Sequence, residues 1–173
     1  MDEISVRADD NVTIRASDDG QRDNVTIRPY VEDDAIGTLA VFLAAVTETA
    51  AADYSPAQTR AWAGERNLPT WHAAMQTRHA FVATIGGELA GFSDVSAAGW
   101  IDMMFVAPRF LRRGVASRLL AHAEAAGTPE LAADVSITAR PFFEHHGFTV
   151  VAEQHPVRAG VELTNYRMLK RVR

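Results

Sequence analysis

The 173-residue sequence contains no cysteine. This absence excludes disulfide bonds, thiolate metal ligands and a cysteine nucleophile. No uninterrupted apolar stretch approaches the roughly 20 residues that a membrane-spanning helix needs, so we expect no membrane span. The N-terminus is acidic and polar, unlike the basic and then apolar start of a signal peptide. These absences predict a cytoplasmic protein.

Basic charge is also scarce. The chain has 17 Lys and Arg residues against 22 Asp and Glu residues, a formal net charge of −5, and we therefore expect no nucleic-acid partner. The six histidines are scattered, apart from the neighbours His145 and His146, and do not form a metal-binding pattern. What is present, 47% hydrophobic and 23% charged residues, is typical of one globular domain with a sizeable core.

The first 22 residues are polar and contain one copy of a short duplication. Residues 10–15 read Asp-Asn-Val-Thr-Ile-Arg, and residues 23–28 repeat them in the same order. Only the second copy leads into a patterned chain, so it is the predicted first strand. We expect residues 1–22 to form a disordered extension and residues 23–173 to form a single domain. An added edge strand is the alternative for the first copy.

Residues 100–126 contain a strand, a basic turn and a helix start, around which the rest of the chain is organised. The apolar run from Trp100 to Val106 predicts a buried strand, and Pro108 ends it. Gly114 then opens an amphipathic helix. Because the first turn of a helix has unpaired N–H groups and a positive dipole end, this turn is a candidate phosphate site. A solvated basic loop is the alternative. Four arginines accompany the turn: Arg109, Arg112, Arg113 and Arg118.

Two stretches resemble the GCN5-related N-acetyltransferase (GNAT) family. Gly114-Val115-Ala116 is similar to the end of that family's pyrophosphate loop, Gln/Arg-x-x-Gly-x-Gly/Ala, although Leu111 occupies the position where Gln or Arg is usual. Residues 139–148, Ala-Arg-Pro-Phe-Phe-Glu-His-His-Gly-Phe, are similar to the family's downstream helix, Ala-x-x-Phe-Tyr-x-x-x-Gly-Phe. The resemblance covers residues 25–170.

The order of predicted elements, β-α-α-β-β-β-α-β-α-β-β, is similar to that family's fold. The resemblance implies an α/β (α+β) domain with a mixed, mostly antiparallel central sheet, a splayed parallel strand pair and flanking helices. Local signals agree with this order. They include a helix from Glu32 to about Thr47, a capping box from Ser55 to Gln58 and a hairpin turn at Gly86-Gly87. A closing hairpin is expected around residues 158–160.

The resemblance implies acetyl-CoA as cosubstrate and the primary amine of a small molecule or peptide as acceptor. It also implies a shaping role for Tyr54 and Trp62 in the acceptor pocket, with core packing as the alternative, in a monomer or homodimer. The residues that it implies for cosubstrate binding lie in the central strand, the loop with its helix start, and the downstream helix: Met104, Phe105, Val106, Leu111, Arg112, Arg113, Gly114, Val115, Ala116, Ser117, Phe142 and Phe143.

Asp102 is the candidate general base, because it is an acid within an apolar strand. Strand alternation would place it on one face with Met104 and Val106, and burial would raise its pKa. A structural aspartate at the start of the strand is the alternative. The tyrosine that serves the family as general acid corresponds to Phe143, which has no hydroxyl. The candidate replacements are Tyr166, Tyr54 and Ser136, with a core aromatic as the alternative for Tyr166.

Two other functions stay open at this point. A protein, peptide or aminoacyl-tRNA acetyltransferase is one of them, although the acidic charge gives little support for tRNA. A catalytically silent CoA-binding module is the other, and the missing hydroxyl at Phe143 keeps it open.

Overall fold

The computed structural model describes residues 24–172 of the chain. The predicted N-terminal extension, with the first copy of the duplication, lies outside the described residues. The helices of the described part are α1 (Glu32–Ala52), α2 (Pro56–Ala63), α3 (Leu68–Thr77), α4 (Val115–Glu124) and α5 (Arg140–His145).

Helix α1 changes its winding along its length. A 3₁₀ turn at Glu32–Asp34 leads into an α-helical part at Ala35–Ala44, followed by a π-helical turn at Ala45–Thr49 and a 3₁₀ turn at Ala50–Ala52. The helix is therefore longer than the sequence predicts, and its far end is irregular. A π-helical turn widens a helix locally and is frequent at functional sites.

Helix α1 is also long and apolar enough to cross a membrane by length and composition, with a mean hydropathy of 1.7 over its best window. The expectation concerned an uninterrupted apolar run, and Glu48 interrupts this helix, which passes the test by its mean hydropathy. In the structure, its buried side chains Val41, Phe42 and Val46 belong to the main hydrophobic core. A buried core helix of a globular protein passes the same test, and packing against the sheet accounts for the apolar face.

Ten strands of the described chain form two four-stranded sheets and one small hairpin. The first sheet has the order β1-β2-β3-β5 and the second β4-β6-β10-β7, while β8 and β9 form the hairpin. Their bounds are β1 Val25–Pro29, β2 Ala80–Ile85, β3 Glu88–Asp94, β4 Trp100–Ile101, β5 Met104–Val106, β6 Glu130–Ser136, β7 Thr149–Gln154, β8 Val157–Arg158, β9 Val161–Glu162 and β10 Asn165–Arg171.

The predicted strand from Trp100 to Val106 is in fact two strands. Its first half, β4, pairs in parallel with β6, and its second half, β5, pairs antiparallel with β3. Residues Asp102 and Met103 form the break between them. Since β4 and β6 share only two residue pairs, the chain leaves one sheet for the other and a gap opens between β5 and β6. This is the splayed parallel pair that the resemblance implies, and the predicted fold class is confirmed.

Other local predictions have mixed outcomes. Gly86 and Gly87 have φ angles of 58° and 84° and connect β2 to β3 as expected for a two-residue hairpin turn. In the closing hairpin, β7 pairs antiparallel with β10 as predicted, with a bulge between Arg167 and Met168, but the turn between them differs from the prediction. The turn at Ala159-Gly160 belongs to the separate hairpin of β8 and β9.

The core lies between the sheets and helices α1, α3 and α4. Of the five residues predicted for the apolar face of α4, four are at most 1% exposed, namely Val115, Leu119, Leu120 and Ala123, while Ala116 is only half-buried. Burying a side chain of the size of leucine contributes about 1.5–3 kcal/mol. This helix therefore anchors the loop before it firmly against the first sheet.

Candidate active site

Two cavities meet in the gap where β5 and β6 diverge. One has a volume of about 340 Å³ and lies against the loop before α4. The other has a volume of about 260 Å³ and lies towards the second sheet and the hairpin of β8 and β9. We call them the loop cavity and the acceptor cavity, the second after the acceptor pocket that the family resemblance implies for Tyr54 and Trp62. Six residues line both: Trp62, Met104, Phe105, Ser136, Ala139 and Phe143.

Eleven of the twelve residues predicted to bind the cosubstrate line the loop cavity. They are Met104, Phe105, Val106, Leu111, Arg112, Gly114, Val115, Ala116, Ser117, Phe142 and Phe143. Arg113 is the exception. Its guanidinium carbon lies 5.0 Å from the centroid of the Phe110 ring, and Arg113 is not among the residues that line the cavity.

The backbone of the loop before α4 is shaped to hold an anion. Arg112 and Gly114 have φ angles of 62° and 80°, and left-handed residues among right-handed ones turn successive N–H groups towards one concavity. No side chain caps the N-terminus of α4, so the N–H groups of its first turn are left for a ligand. A Cβ atom added to Gly114 would meet no atom within 4 Å. Its positive φ angle, rather than lack of space, therefore requires glycine.

Thr49 lines the loop cavity and has a buried polar atom. It ends the π-helical turn of α1. Its Oγ1 is buried and has no hydrogen-bond partner among the described residues. An unpaired buried hydroxyl costs free energy unless a ligand pairs with it. The sequence shows only an apolar helix at this point and contains no signal that identifies Thr49.

The acceptor cavity is lined by two carboxylates that are each paired. Arg78 donates to Asp102, and Arg167 donates to Asp134. The carboxylate of Asp134 also accepts a hydrogen bond of 2.7 Å from Gln154. Asp134 was not predictable as a site residue, because it lies in an otherwise ordinary strand, β6.

Asp102 lies at the strand break and lines the acceptor cavity. Its side chain is 46% exposed, so the expectation that it is buried is wrong. The strand stops at Ile101, so Asp102 lies outside the regular alternation that was expected to align it with Met104 and Val106. The change of sheet turns the Asp102 side chain towards solvent and Arg78.

The buried acid of this region is Asp94, whose side chain is 5% exposed. Its Oδ1 accepts the N–H groups of Asp102 at 2.8 Å and Met103 at 3.0 Å, and Arg78 donates to its Oδ2 at 3.2 Å. Burial raises the pKa of Asp94, against the opposing effects of the Met103 N–H and Arg78. The carboxylate of Asp94 thus stabilises the strand break by accepting hydrogen bonds from its two N–H groups.

Tyr54 and Trp62 both line the acceptor cavity. Tyr54 is 6% exposed, and its hydroxyl donates to the Thr164 carbonyl at 2.6 Å and accepts the Ile137 N–H at 3.0 Å. Burial raises the pKa of Tyr54. Its ring packs edge-on against Trp62, and Trp62 packs against Phe105. Trp62 therefore forms part of the wall that the cavities share, and Tyr54 lines the acceptor cavity alone.

The candidate proton donors differ in whether they line the cavities. Phe143 is 4% exposed and lines both cavities. Ser136 also lines both, and its Oγ accepts the Ala139 N–H at 3.1 Å. Tyr166 is not among the residues that line either cavity, and its ring instead lies 4.5 Å from the Arg140 guanidinium carbon. The structure does not bring Tyr166 to the site.

Comparisons with known proteins agree with this geometry. A family model for the acetyltransferase (GNAT) domain matches residues 50–170. The chain is 40% identical over 145 residues to an Escherichia coli protein described as uncharacterized N-acetyltransferase YafP, covering 84% of this chain and 95% of that protein. The solved structure of a GCN5-related N-acetyltransferase from Rhodopseudomonas palustris has a TM-score of 0.80 at 30% identity, covering 84% of this chain and 94% of that one.

A more distant solved structure is the PaiA N-acetyltransferase from Thermoplasma acidophilum in complex with coenzyme A. Its TM-score is 0.66 at 17% identity, with 85% of this chain and 98% of that chain covered, a likeness of fold. The divergent strands, the uncapped helix start and the paired cavities define an acyl-CoA N-acyltransferase fold. This chain belongs to the GNAT family of acetyltransferases.

Proposed function

We propose that the protein transfers the acetyl group of acetyl-CoA directly to a primary amine of a small molecule or peptide. The observation that carries this proposal is the junction of the two cavities, where six residues form a common wall. A thioester held in the loop cavity would face an amine held in the acceptor cavity. The presence of coenzyme A in the PaiA structure supports the choice of cosubstrate.

Backbone groups would bind most of the cosubstrate. When bound, acetyl-CoA supplies a thioester carbonyl that an amine can attack. The N–H groups of the loop and of the first turn of α4 suit its pyrophosphate. Strand β5 is the outer strand of its sheet, so its free edge at Phe105 and Val106 suits the extended arm that precedes the sulfur. The orphan hydroxyl of Thr49 is a further polar group on that wall.

The amine has to lose a proton, because an alkylamine with a pKa near ~10.4 is charged at neutral pH. Of the two carboxylates in the acceptor cavity, Asp134 is engaged by Arg167 and Gln154. Asp102 is more exposed and paired with Arg78. We therefore assign the role of general base to Asp102, acting directly or through one water.

Ser136 is the best-placed group to donate a proton at the junction. Its oxygen accepts the Ala139 N–H, which leaves its own proton free to donate. Tyr54 is less suitable, because its hydroxyl already donates to the Thr164 carbonyl. Phe143 occupies the place of the usual tyrosine. Among the six residues that line both cavities, Ser136 is the one with a hydroxyl group.

One observation favours an alternative function, that of a catalytically silent CoA-binding module. Phe143 cannot donate a proton, and a CoA-binding module without catalytic activity would need no proton donor at this position. The discriminating experiment is release of free CoA thiol from acetyl-CoA with a panel of primary amines, together with a binding measurement for CoA. The enzyme should release thiol only when an amine is present. Tight CoA binding without thiol release for every amine would establish the silent module instead.

A further inference from the structure

The acceptor cavity has an unbalanced positive charge at its outer end. Arg158, in the hairpin of β8 and β9, lines the cavity, and within residues 24–172 no carboxylate lies within ion-pair distance of its guanidinium. The carboxylates that do line the cavity, Asp102 and Asp134, are already paired with other arginines. An unpaired guanidinium at a cavity is a binding group for carboxylate or phosphate.

A second arginine, Arg66, lies near Arg158, although it is not among the residues that line the cavity. Arg66 follows α2 and donates to the carbonyls of Ala63 at 2.8 Å and Trp62 at 3.3 Å. These carbonyls orient the guanidinium without neutralising it. Burial and then the nearby charge of Arg158 lower the pKa of Arg66. The two cations are therefore close enough to repel each other, and an anion between or beside them would relieve that repulsion.

The hairpin that carries Arg158 has a fixed position. Its turn residues Ala159 and Gly160 have φ angles of 48° and 76°, which closes it in two residues. Gln58 of α2 donates to the Glu162 carbonyl at 3.0 Å. Helix α2, with Trp62, and the hairpin are thus tied together across the opening of the cavity.

We propose that the acceptor is a small amine that also has an anionic group, a carboxylate in an amino-acid-like molecule, and that Arg158 binds this group. Arg66 adds positive charge from outside the cavity lining. The inference rests on the proposed function, because it identifies the substrate class of the same site. The cavity volume of about 260 Å³ is slightly below the usual range for small-molecule sites, about 300–1,000 Å³. It suits a single small acceptor.

Matched acceptor pairs test the proposal. Amino acids would be compared with their primary amides, and phosphoethanolamine with ethanolamine, by thiol release from acetyl-CoA. The wild-type enzyme should prefer the anionic member of a pair. Arg158→Gln should raise KM for that member by about tenfold or more, the usual scale of a charged hydrogen bond, and should change KM for the neutral member by less than about twofold. Arg66→Gln should act in the same direction and more weakly.

The control variant is Arg171→Gln, since Arg171 is exposed at the end of β10 and is not among the residues that line either cavity. This variant should leave KM unchanged for both the anionic and the neutral acceptors. A preference limited to phosphoethanolamine would support the anion site with phosphate as its group. Equal effects of Arg158→Gln on neutral and anionic acceptors, or a raised KM for acetyl-CoA alone, would overturn the proposal.

A binding measurement tests this inference independently of the proposed function. Titration calorimetry with CoA present would compare an N-acetyl amino acid with its N-acetyl amide, for wild type and for Arg158→Gln. If the wild type binds the carboxylate compound more tightly than the amide and Arg158→Gln does not, the anion site is supported even where no amine leads to thiol release. In that case the proposed function fails and the anion site stands. Equal binding of the two compounds overturns the anion site whether or not uncharged amines are acetylated.

Discussion

The carboxylate of Asp94 holds the backbone of Asp102 in place. Its Oδ1 accepts the Asp102 N–H at 2.8 Å at the point where the chain passes from one sheet to the other. Without this acceptor, the N–H groups at the break would lose their partner, which usually costs about 1–3 kcal/mol for each buried group. The candidate base therefore depends on a buried acid eight residues earlier in the chain.

The pH dependence of stability should reveal Asp94. Its folded pKa is raised above the ordinary value of 3.8, so above pH 3.8 the folded state keeps this proton while the unfolded state releases it. The free energy of unfolding of the wild type relative to Asp94→Asn should therefore decrease as pH rises through that window. Urea denaturation of both proteins across the acidic range measures this. A difference that increases with pH would contradict it.

Asp34 should show the opposite slope. This buried residue accepts two hydrogen bonds from Arg28, at 2.7 and 2.8 Å, and one from the Val31 N–H at 2.9 Å. Burial opposes ionisation, but these donors together lower the pKa of Asp34 below 3.8. The stability that it contributes is present above that pH and is lost as pH falls through the lowered pKa.

Asp34→Ala should lower the free energy of unfolding by about 2 to 3 kcal/mol at neutral pH, because Arg28 is partly solvated and offsets some of the loss. The exposed neighbour Asp33 lies in the same first turn and is the matched control. Asp33→Ala should change stability by less than about 0.5 kcal/mol. Equal losses in the two variants would show that the helix dipole matters more than the Arg28 pair.

Two substitutions at Gly114 should separate backbone strain from ligand repulsion. Gly114→Ala should lose about 1 to 2 kcal/mol of stability through the positive φ angle alone and should still be stabilised by CoA. Gly114→Glu adds bulk and negative charge beside the expected pyrophosphate and should abolish that stabilisation, which is about 2.7 kcal/mol at 100 times the Kd for an intact site. Thermal unfolding with and without CoA is the measurement. An unchanged shift in the glutamate variant would place the phosphates elsewhere.

Thr49→Val should increase stability and weaken CoA binding at once. Removing an unpaired buried hydroxyl should raise the free energy of unfolding of the free protein by about 1 kcal/mol. Losing a ligand partner should raise the CoA Kd by roughly threefold to tenfold. Thr47, whose Oγ1 donates to the Leu43 carbonyl at 2.8 Å on the exposed side of the turn, is the control. Thr47→Val should leave CoA affinity unchanged, and an unchanged Kd for Thr49→Val would show that its hydroxyl does not contact the ligand.

Asp102→Asn should reduce kcat by roughly 10²-fold, the usual contribution of a general base, and should leave the KM for acetyl-CoA close to its original value. Asp134→Asn is the matched change on the other carboxylate of the acceptor cavity and should cost less than about tenfold in kcat. Steady-state kinetics with one amine tests both. Normal turnover of Asp102→Asn would leave Asp102 with a structural role at the strand break.

Features fixed by neighbours in sequence were predictable. The loop with Gly114, the buried face of α4, the capping box before α2 and the turn at Gly86-Gly87 all depend on residues within a few positions of each other, and the structure has each of them. Eleven residues of the loop cavity followed from the same local pattern together with the family resemblance, but the residues contributed by the end of α1, Ala45, Thr49 and Ala50, did not.

Features fixed by distant partners were not predictable. An apolar run such as Trp100–Val106 looks like one strand, but at the break its N–H groups donate to the carboxylate of Asp94 on the neighbouring strand. The exposure of Asp102 follows from that interruption. In the same way, Arg158 belongs to the acceptor cavity only because a small hairpin is tied to α2, a contact between residues about 100 positions apart.

The wide turn at Ala45–Thr49 in α1 also determines the orientation of the next segment of the chain. An α-helix rotates by about 100° and rises 1.5 Å with each residue. Deleting one residue from this turn would therefore rotate Ala50 and the segment up to Tyr54 by about that angle relative to the first half of the helix. The hydroxyl of Tyr54, which now joins the carbonyl of Thr164 to the N–H of Ile137, would lose both partners. Although this end of α1 is irregular, its length is as constrained as that of a core strand, and natural insertions or deletions should be absent from it.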